Sequence, residues 1–261
     1  NNIVESVLMK YEYGYSICVS SQIGCNMRCK FCASGLDGKV RDLTSGEILA
    51  QIILANKFLD GKLGEKRKIT NIVIMGSGEP LDNYDNISRT IDVLTSSWGF
   101  GWSPKRITLS TVGIIPMLER FLKESKCHLA VSLHNPFGVQ RAELMPMQKP
   151  YPIEEVVRLI KKFDFTGQRR VSFEYIVFSG VNDSKAHSDE LVRILKGLEC
   201  RVNLIRFHAI PNSSLKTTSD KEMESFKDRL NSQGLLTTIR ASRGEDIFAA
   251  CGLLSGQKSK K

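Results

Sequence analysis

Short runs of apolar and β-branched residues alternate with longer amphipathic stretches along most of the chain, which predicts strands and helices in turn. Strands are predicted over residues 3–10, 15–20, 69–75, 106–110, 128–133, 171–178, 201–207 and 235–240. Helices, the first capped by Thr44 or Ser45, are predicted over residues 44–58, 86–96, 114–124, 153–163, 185–198 and 221–233. Because strands that alternate with helices form a parallel sheet covered by those helices, the chain is expected to be an α/β protein. Its strand–helix units favour an incomplete (β/α)6 barrel, preceded by an N-terminal β-hairpin extension that turns at residues 11–14.

The chain is expected to form one domain. No repeat or low-complexity linker divides it, and 261 residues suffice for one barrel with a substantial core. The predicted domain covers residues 1–256, and a polar, basic tail over residues 257–261 is expected to be disordered. The first residue is Asn rather than Met, as expected of a fragment or a trimmed chain.

Composition and charge narrow the class of protein. With 41% hydrophobic and 25% charged residues, and with neither a long apolar run nor a signal-peptide pattern, the chain is expected to be a globular protein. Its seven cysteines then favour a reducing, cytoplasmic location over a disulfide framework. The net charge of +9 favours a polyanionic partner such as RNA or DNA, although a solvated basic surface would have the same charge. Candidate contacts for phosphate are Arg169, Arg170, Arg201 and Arg243.

Three cysteines, Cys25, Cys29 and Cys32, follow the second predicted strand in the spacing Cys-x-x-x-Cys-x-x-Cys. A structural zinc site is usually closed by four Cys or His ligands, and no fourth Cys or His follows closely. An iron–sulfur cluster held by three thiolates leaves one iron without a protein ligand, so a small molecule can bind there. The spacing therefore favours a catalytic four-iron cluster. Three reduced cysteines in a loop, or a zinc site completed from elsewhere in the chain, are the alternatives.

This spacing resembles that of the radical S-adenosylmethionine (SAM) superfamily. The resemblance implies a radical SAM barrel with a [4Fe-4S] cluster on Cys25, Cys29 and Cys32. It also implies that the open iron chelates the amino and carboxylate groups of SAM. An electron from the cluster would then split the sulfonium and give a 5′-deoxyadenosyl radical.

Further candidate residues follow the predicted strands, at the edge where a parallel barrel builds its pocket. They are Gly78, Glu79, Ser110, Ser132, Leu133, His134 and His208. Glycine lets the backbone approach a ligand closely, and Glu79 is expected to accept a hydrogen bond from the amino group or the ribose of SAM. The serines and His134 are expected to contact the adenosine and methionine parts, with His208 on the far side. Taken alone, residues 76–78 are equally a plain turn, and His134 is equally a core histidine with satisfied hydrogen bonds.

Five blocks of sequence occur together and in order, and they resemble the RlmN/Cfr family of radical SAM RNA methyltransferases. The blocks cover residues 18–25, 75–81, 109–116, 132–134 and 249–252, within a resemblance that extends from about residue 5 to residue 256. Pro80 after Gly78-Glu79 favours the RlmN branch, which methylates carbon 2 of adenine, over the Cfr branch, which methylates carbon 8. The resemblance implies 23S ribosomal RNA as substrate, transfer RNA as a further candidate, and a one-electron donor such as flavodoxin. It also implies that the family's N-terminal accessory RNA-binding domain is absent from this sequence.

The resemblance further implies a mechanism that uses two SAM molecules per turnover. Cys251 would take a methyl group from the first SAM, and the radical from the second would remove a hydrogen atom from that S-methyl group. The resulting methylene radical would add to the adenine ring. Cys18 would then resolve the adduct in a transient disulfide with Cys251, and Glu5 occupies the position of a proton acceptor. Without the resemblance, Cys251 would be an incidental thiol, Cys18 a core cysteine and Glu5 a surface charge.

One residue departs from the family pattern. Many members have an Asn that contacts SAM where this chain has His208, although a histidine can also donate or accept a hydrogen bond. Two other functions stay open: a methyltransferase acting on carbon 8, and a zinc-dependent RNA-binding module without catalysis. Cys127 and Cys200 are expected to be small buried residues at the starts of strands.

Overall fold

In a computed structural model, which describes residues 2–62, 66–165, 169–211, 213–241 and 252–254, strands and helices alternate along the chain. The strands are β1 (Val7–Tyr11), β2 (Gly14–Val19), β3 (Gln22–Ile23), β4 (Arg41–Asp42), β5 (Ile69–Ile74), β6 (Ile107–Thr111), β7 (His128–Ser132), β8 (Val171–Val177), β9 (Arg201–Arg206) and β10 (Thr237–Ile239). The helices are α1 (Ser45–Phe58), α2 (Tyr84–Thr95), α3 (Ile115–Glu124), α4 (Gly138–Leu144), α5 (Ile153–Ile160), α6 (Lys185–Leu195) and α7 (Asp220–Ser232). None of these helices has the length and hydropathy needed to cross a lipid bilayer. The predicted tail over residues 257–261 lies outside the described residues.

One sheet of eight strands, in the order β1-β2-β5-β6-β7-β8-β9-β10, organises the molecule. β1 and β2 are antiparallel, with Val7 opposite Cys18, and each neighbouring pair from β2 to β10 is parallel. The parallel part curls into an open half-barrel, and β3 pairs with β4 in a separate two-stranded ribbon. The predicted incomplete barrel with a hairpin extension is therefore confirmed.

Local signals set most of the element boundaries. At the start of α1, the Thr44 hydroxyl accepts a hydrogen bond from the backbone N–H of Glu47, whose carboxylate accepts one from the backbone N–H of Thr44. α4 was not predicted, because seven residues are too few to show a helical period. It begins after a turn in which the Asn135 side chain accepts a hydrogen bond from the backbone N–H of Phe137 at 2.9 Å.

The half-barrel has an apolar outer face and a more polar inner face. The outer face is buried under the helices and includes Ile17, Val19, Ile72, Leu109, Leu129 and Phe173. Because side chains alternate along a strand, the residues between these point to the other side. In the parallel register, Cys18 lies beside Val73, and Ser132 lies beside Glu174, which in turn lies beside Asn203. We call this side the inner face, and its residues include Cys18, Ser110, Ser132, Glu174 and Asn203.

Three of the arginines predicted to contact phosphate lie at the amino ends of the strands. Arg169 and Arg170 precede β8, and Arg201 begins β9, so all three are at the edge opposite the loops that follow the strands. Arg169 is buried, and its guanidinium donates a hydrogen bond to the carbonyl of Leu122 at 3.0 Å. The burial of Arg169 makes a contact with phosphate unfavourable, and the contacts of Arg170 and Arg201 with phosphate stay predictions. Arg243 lies outside the described residues.

Candidate active site

The three clustered cysteines lie on one loop, residues 24–40, which we call the cysteine loop. It connects β3 to β4, and the pairing of these two strands brings its ends together. The backbone N–H of Cys25 donates to the carbonyl of Gly38 at 3.2 Å, and the N–H of Val40 donates to the carbonyl of Ile23 at 2.8 Å. The loop is therefore closed at its base by backbone hydrogen bonds.

Gly24 is required for this closure, and the requirement can be measured. Its φ is +72°, and a Cβ at this position would lie 1.9 Å from the carbonyl oxygen of Gly38. We expect Gly24→Ala to lower the free energy of unfolding by about 1 kcal/mol through its left-handed backbone, and by about 3 kcal/mol more through the clash. Gly101→Ala is the matched control, because Gly101 has a φ of +61° with no atom within 4 Å of an added Cβ. Equal losses in the two variants, measured by denaturant unfolding, would contradict the close approach at Gly24.

The thiols of the cysteine loop lie close enough to influence one another. Burial raises the pKa of Cys25 to about 12, and Glu79 and Cys32 add to the rise. Burial, followed by the neighbouring Cys32 and Cys25, raises the pKa of Cys29 well above its usual range. Thiols whose pKa is raised in this way are neutral on their own, and coordination of a metal converts them to thiolates.

This set of three neighbouring thiols is compatible with an iron–sulfur cluster. Within the part of the chain that the structure describes, no three His, Cys, Asp or Glu side chains converge as ligands of a single metal ion would. In an iron–sulfur cluster the thiolates bind different irons, so the sulfur atoms need not converge on one point. Cys25, Cys29 and Cys32 therefore stay the predicted cluster ligands.

Two sets of contacts hold the cysteine loop on the barrel. The ring of Phe31 packs edge-on against His134, with centroids 4.6 Å apart, and lies 5.8 Å from the ring of Phe178. The backbone N–H of Lys30 donates to the carbonyl of Leu144, the last residue of α4, at 2.9 Å. The loop thus rests on the segments that follow β7 and β8.

The C-terminal segment over residues 252–254 also packs on the cysteine loop. The carbonyl of Gly252 accepts a hydrogen bond from the backbone N–H of Ala33 at 2.7 Å, and the carbonyl of Leu254 accepts one from the Ser34 hydroxyl at 2.6 Å. A Cβ on Gly252 would lie 3.1 Å from the carbonyl oxygen of Phe31. Cys251 lies outside the described residues, but its sequence neighbour Gly252 contacts the loop that carries the predicted cluster ligands.

The glycines after β5 are explained by contacts within the chain. The backbone N–H groups of Ser21 and Gln22 both donate to the carbonyl of Ser77, at 2.9 and 3.1 Å. A Cβ on Gly78, whose φ is +103°, would lie 2.6 Å from the Cβ of Gln22, and a Cβ on Gly76 would be equally crowded. These glycines therefore let the segment after β5 pack against the segment after β2, and an approach of Gly78 to SAM stays a prediction.

Glu79 is buried, with 2% of its surface exposed, and its carboxylate already has internal partners. It accepts hydrogen bonds from the N–H of Leu81 at 3.0 Å, the hydroxyl of Thr111 at 2.6 Å and the N–H of Val112 at 2.9 Å. Burial raises its pKa to about 7, against the effect of these three donors. Glu79 thus ties the segment after β6 to the segment after β5, and its predicted contact with SAM would use the remaining lone-pair direction.

His134 is held firmly in the segment after β7. Its ring Nδ1 accepts a hydrogen bond from the N–H of Ile176 at 2.9 Å, and its carbonyl accepts one from the Asn182 side chain at 2.6 Å. Burial, together with the charge of Arg141, lowers the pKa of His134 to about 3, so the ring is neutral with its proton on Nε2. The interpretation as a satisfied core histidine gains support, and a contact of His134 with SAM stays a prediction.

The other predicted SAM contacts differ in accessibility. Ser110 and Ser132 are half-buried on the inner face, whereas Leu133 is fully buried. His208 is half-buried and follows β9 by two residues. The structure therefore brings the two serines to one face, whereas the N–H of Leu133 already donates to the carbonyl of Glu174 and its carbonyl already accepts from Arg141, so that a contact of Leu133 with SAM stays a prediction.

Cys18 and Glu5 lie together at the β1–β2 edge of the barrel. Cys18 is half-buried on the inner face, whereas its neighbours Ile17 and Val19 are fully buried on the outer face. The hydroxyl of Ser20 donates to the carbonyl of Glu5 at 2.6 Å, which places Glu5 beside Ser20, two residues along the chain from the Val7–Cys18 pair. Cys18 is therefore not a core cysteine, although sequence alone allowed that interpretation.

The inner face also carries a polar group that sequence reasoning missed. Glu174 Oε1 accepts hydrogen bonds from the Ser172 hydroxyl at 3.0 Å and the Asn203 side chain at 2.8 Å. Its Oε2 lies 3.6 Å from Arg240 Nη1 and accepts no hydrogen bond, although the side chain is only 5% exposed. An acid inside the otherwise apolar run of β8 was the signal that could have identified it.

No disulfide joins any two of the six cysteines that the structure describes. Cys251, the predicted partner of Cys18 in a transient disulfide, lies outside the described residues, so that this pairing stays a prediction. Cys127 is buried as predicted, whereas Cys200 is only half-buried.

Known proteins share both the sequence and the fold. Residues 19–192 match the family described as the Radical SAM superfamily. A probable dual-specificity RNA methyltransferase RlmN from Bacteroides fragilis is 55% identical over 261 residues, which is 100% of this chain and 74% of that protein. A protein of the same name from Clostridium perfringens is 45% identical and aligns with 97% of this chain and 72% of its own length. The crystal structure of a radical SAM methyltransferase from Sphaerobacter thermophilus has 41% identity and a TM-score of 0.91, covering 97% of this chain and 74% of that one.

Members of the radical SAM superfamily use a [4Fe-4S] cluster and SAM, which agrees with the thiol chemistry of the cysteine loop. The identities and the coverage far exceed what a shared fold alone produces. The chain therefore belongs to the radical SAM superfamily and, within it, to the RlmN family of RNA methyltransferases.

Proposed function

We propose that this protein methylates carbon 2 of an adenosine in 23S ribosomal RNA, with transfer RNA as a second substrate, through an S-methylcysteine intermediate. The relatives named as dual-specificity RNA methyltransferases match nearly the whole chain, which supports an RNA substrate. Pro80 after Gly78-Glu79 supports carbon 2 over carbon 8. The observation that carries the proposal is the packing of residues 252–254 on the cysteine loop, because it brings the sequence next to Cys251 to the predicted cluster ligands.

Four of the cysteines are proposed to generate the radical and to carry the methyl group. Cys25, Cys29 and Cys32 would hold the cluster, which when bound supplies the electron that splits SAM into methionine and a 5′-deoxyadenosyl radical. Cys251 carries the methyl group, because a thiolate is a competent nucleophile toward the sulfonium of SAM. One SAM is used for this transfer and another for the radical, so each turnover consumes two. The electron comes from a one-electron donor such as flavodoxin.

A radical route suits the proposed target atom. Carbon 2 of adenine is electron-poor and has no lone pair, so it cannot displace a methyl group from SAM as a thiolate can. A carbon radical needs no nucleophile and can add to the ring directly. The adenine must also leave its stack to reach the inner face, as other enzymes that modify bases require.

Cys18 and Glu5 would complete the turnover. The adduct radical would lose one electron to the redox carrier and its carbon-2 proton to Glu5. The Cys18 thiolate would then attack the Cys251 sulfur, so that a disulfide forms as the bond from sulfur to the methylene carbon breaks, and that carbon would take up a proton to become the methyl group. A cellular thiol would reduce the disulfide before the next turnover. Their shared position at the β1–β2 edge supports these roles, since both act on the same adduct. The half-buried state of both residues leaves part of each side chain accessible to an incoming base.

The modified-nucleoside profile tests this function. RNA from cells with and without the gene is digested to nucleosides, and 2-methyladenosine is separated from 8-methyladenosine by chromatography and mass spectrometry. We expect 2-methyladenosine in both ribosomal and transfer RNA only where the gene is present. Formation of 8-methyladenosine alone would overturn the proposed target atom. If neither methyladenosine forms, and the anaerobically purified protein is colourless and binds zinc, the zinc-dependent RNA-binding module would be favoured instead.

A further inference from the structure

Arg141 on α4 is a cation enclosed by the fold. Its side chain is 0% exposed, and within the described part of the chain its guanidinium donates four hydrogen bonds to uncharged oxygens. Nε donates to the carbonyl of Leu133 at 3.0 Å, and Nη2 donates to the carbonyls of Ser132 and Val112 at 2.9 and 3.3 Å. Nη1 donates to Gln148 Oε1 at 2.6 Å. The charge is thus hydrogen-bonded but not neutralised by any of these acceptors.

A buried cation without a neutralising partner is unfavourable, because desolvation is compensated only by a nearby negative charge. Burial lowers the pKa of Arg141 to about 10, so the side chain still carries its charge at neutral pH. Two groups oppose this decrease: Cys29, and then Glu154. Glu154 is exposed to solvent and lies behind Gln148, whose side-chain Nε2 donates to it at 3.4 Å. Of these two groups Cys29 has the larger effect on the Arg141 guanidinium, and its sulfur becomes negatively charged when it coordinates a metal.

Arg141 is also linked to the cysteine loop through the backbone of its own helix. The carbonyl of Arg141 accepts a hydrogen bond from the N–H of Met145 at 2.7 Å. The carbonyl of Leu144, the residue just before Met145, accepts a hydrogen bond from the N–H of Lys30 at 2.9 Å. Lys30 follows Cys29 directly. The helix that carries the cation is thus fastened beside a predicted cluster ligand.

We propose that Arg141 is a positioning residue whose buried charge stabilises the reduced state of the iron–sulfur cluster on the cysteine loop. The inference rests on the cluster assigned in the proposed function. When a one-electron carrier is oxidised and the cluster is reduced, the negative charge of the cluster increases by one electron. A fixed cation beside Cys29 interacts more favourably with the reduced state, and therefore raises the reduction potential.

The reduction potential of the reconstituted protein tests this role. It is measured by titration with dithionite in the absence of RNA and SAM, and the reduced cluster is detected by electron paramagnetic resonance. Gln148→Glu, made in a Glu154→Gln background so that two carboxylates do not face each other, and compared with Glu154→Gln alone, is the decisive variant. The new carboxylate oxygen still accepts the hydrogen bonds from Arg141 and from the N–H of Ile153 while it neutralises the guanidinium. At a fixed applied potential we expect a roughly tenfold lower ratio of reduced to oxidised cluster, which corresponds to about 59 mV for one electron. Arg141→Gln should change the ratio in the same direction, and Arg141→Lys should change it least.

Arg169→Gln is the matched control, since it removes another buried arginine at the amino ends of the strands. Its potential should equal that of the unmodified protein. An unchanged or higher potential in Gln148→Glu would overturn the inference, even if Arg141→Gln unfolds, because the first variant retains every hydrogen bond that the guanidinium donates. Failure of the unmodified protein to bind iron would refute the proposed function itself, so the two outcomes are distinguishable.

Discussion

Replacing Cys251 with alanine is expected to abolish methyl transfer to RNA while the protein still binds about four irons per chain. Alanine has no nucleophile to take the methyl group, so the rate should fall at least about a thousandfold. Iron should be retained because the predicted ligands lie on a loop that is closed by its own backbone hydrogen bonds. The measurements are transfer of labelled methyl groups from SAM to RNA, iron content after anaerobic purification, and the mass of the peptide that contains residue 251.

Cys200→Ala is the matched control for this variant. Cys200 immediately precedes β9, at the edge of the barrel opposite the cysteine loop, so its loss removes a thiol without touching the proposed chemistry. It should methylate RNA like the unmodified protein. Methylation by Cys251→Ala at a comparable rate would contradict the proposed role. Loss of iron in that variant would mean that Cys251 acts on the cluster rather than on the methyl group.

The barrel could be predicted from the sequence because its signals are local. The strands appear as short, mostly apolar runs, such as residues 69–74. Thr44 with Glu47 marks the start of α1 by a pattern that spans four residues. The cysteine loop was equally evident, since Cys25, Cys29 and Cys32 are close in sequence. Where the signal was shorter, as for α4, the prediction failed.

The interior of the site could not be predicted in the same way, because it is assembled from segments distant in sequence. The group around Glu174 joins β8, β9 and the residue after β10, so it exists only once the register of those strands is known. Two partners of Glu79 are Thr111 at the end of β6 and Val112 just after it, and this distant pairing could not be recognised from the sequence either. Arg141 gave no signal at all, since its acceptors are carbonyl groups, which every residue has.

The position of Cys18 depends on the same register. Along β2, Ile17 and Val19 are fully buried against the helices, and Cys18 between them points to the inner face beside Val73 of β5. Its removal therefore creates little empty space in the core, and Cys18→Ala is expected to change the free energy of unfolding by less than about 1 kcal/mol. The effect of this substitution should thus be chemical rather than structural.

Cys18→Ala is expected to accumulate RNA covalently attached to the protein when it is expressed together with its substrate. Cys251 can still take the methyl group and form the adduct, but no thiol is left at residue 18 to attack the Cys251 sulfur and release the methylated base. The adduct is detected as nuclease-sensitive material on a denaturing gel and as a nucleotide mass on the peptide that contains residue 251. A Cys18→Ala/Cys251→Ala double variant should carry no RNA, because the attachment point is gone, and Cys200→Ala should carry none because its resolving thiol is intact. Normal methylation of Cys251 in Cys18→Ala without any attached RNA would remove Cys18 from the resolving step and leave its position on the inner face without a chemical role.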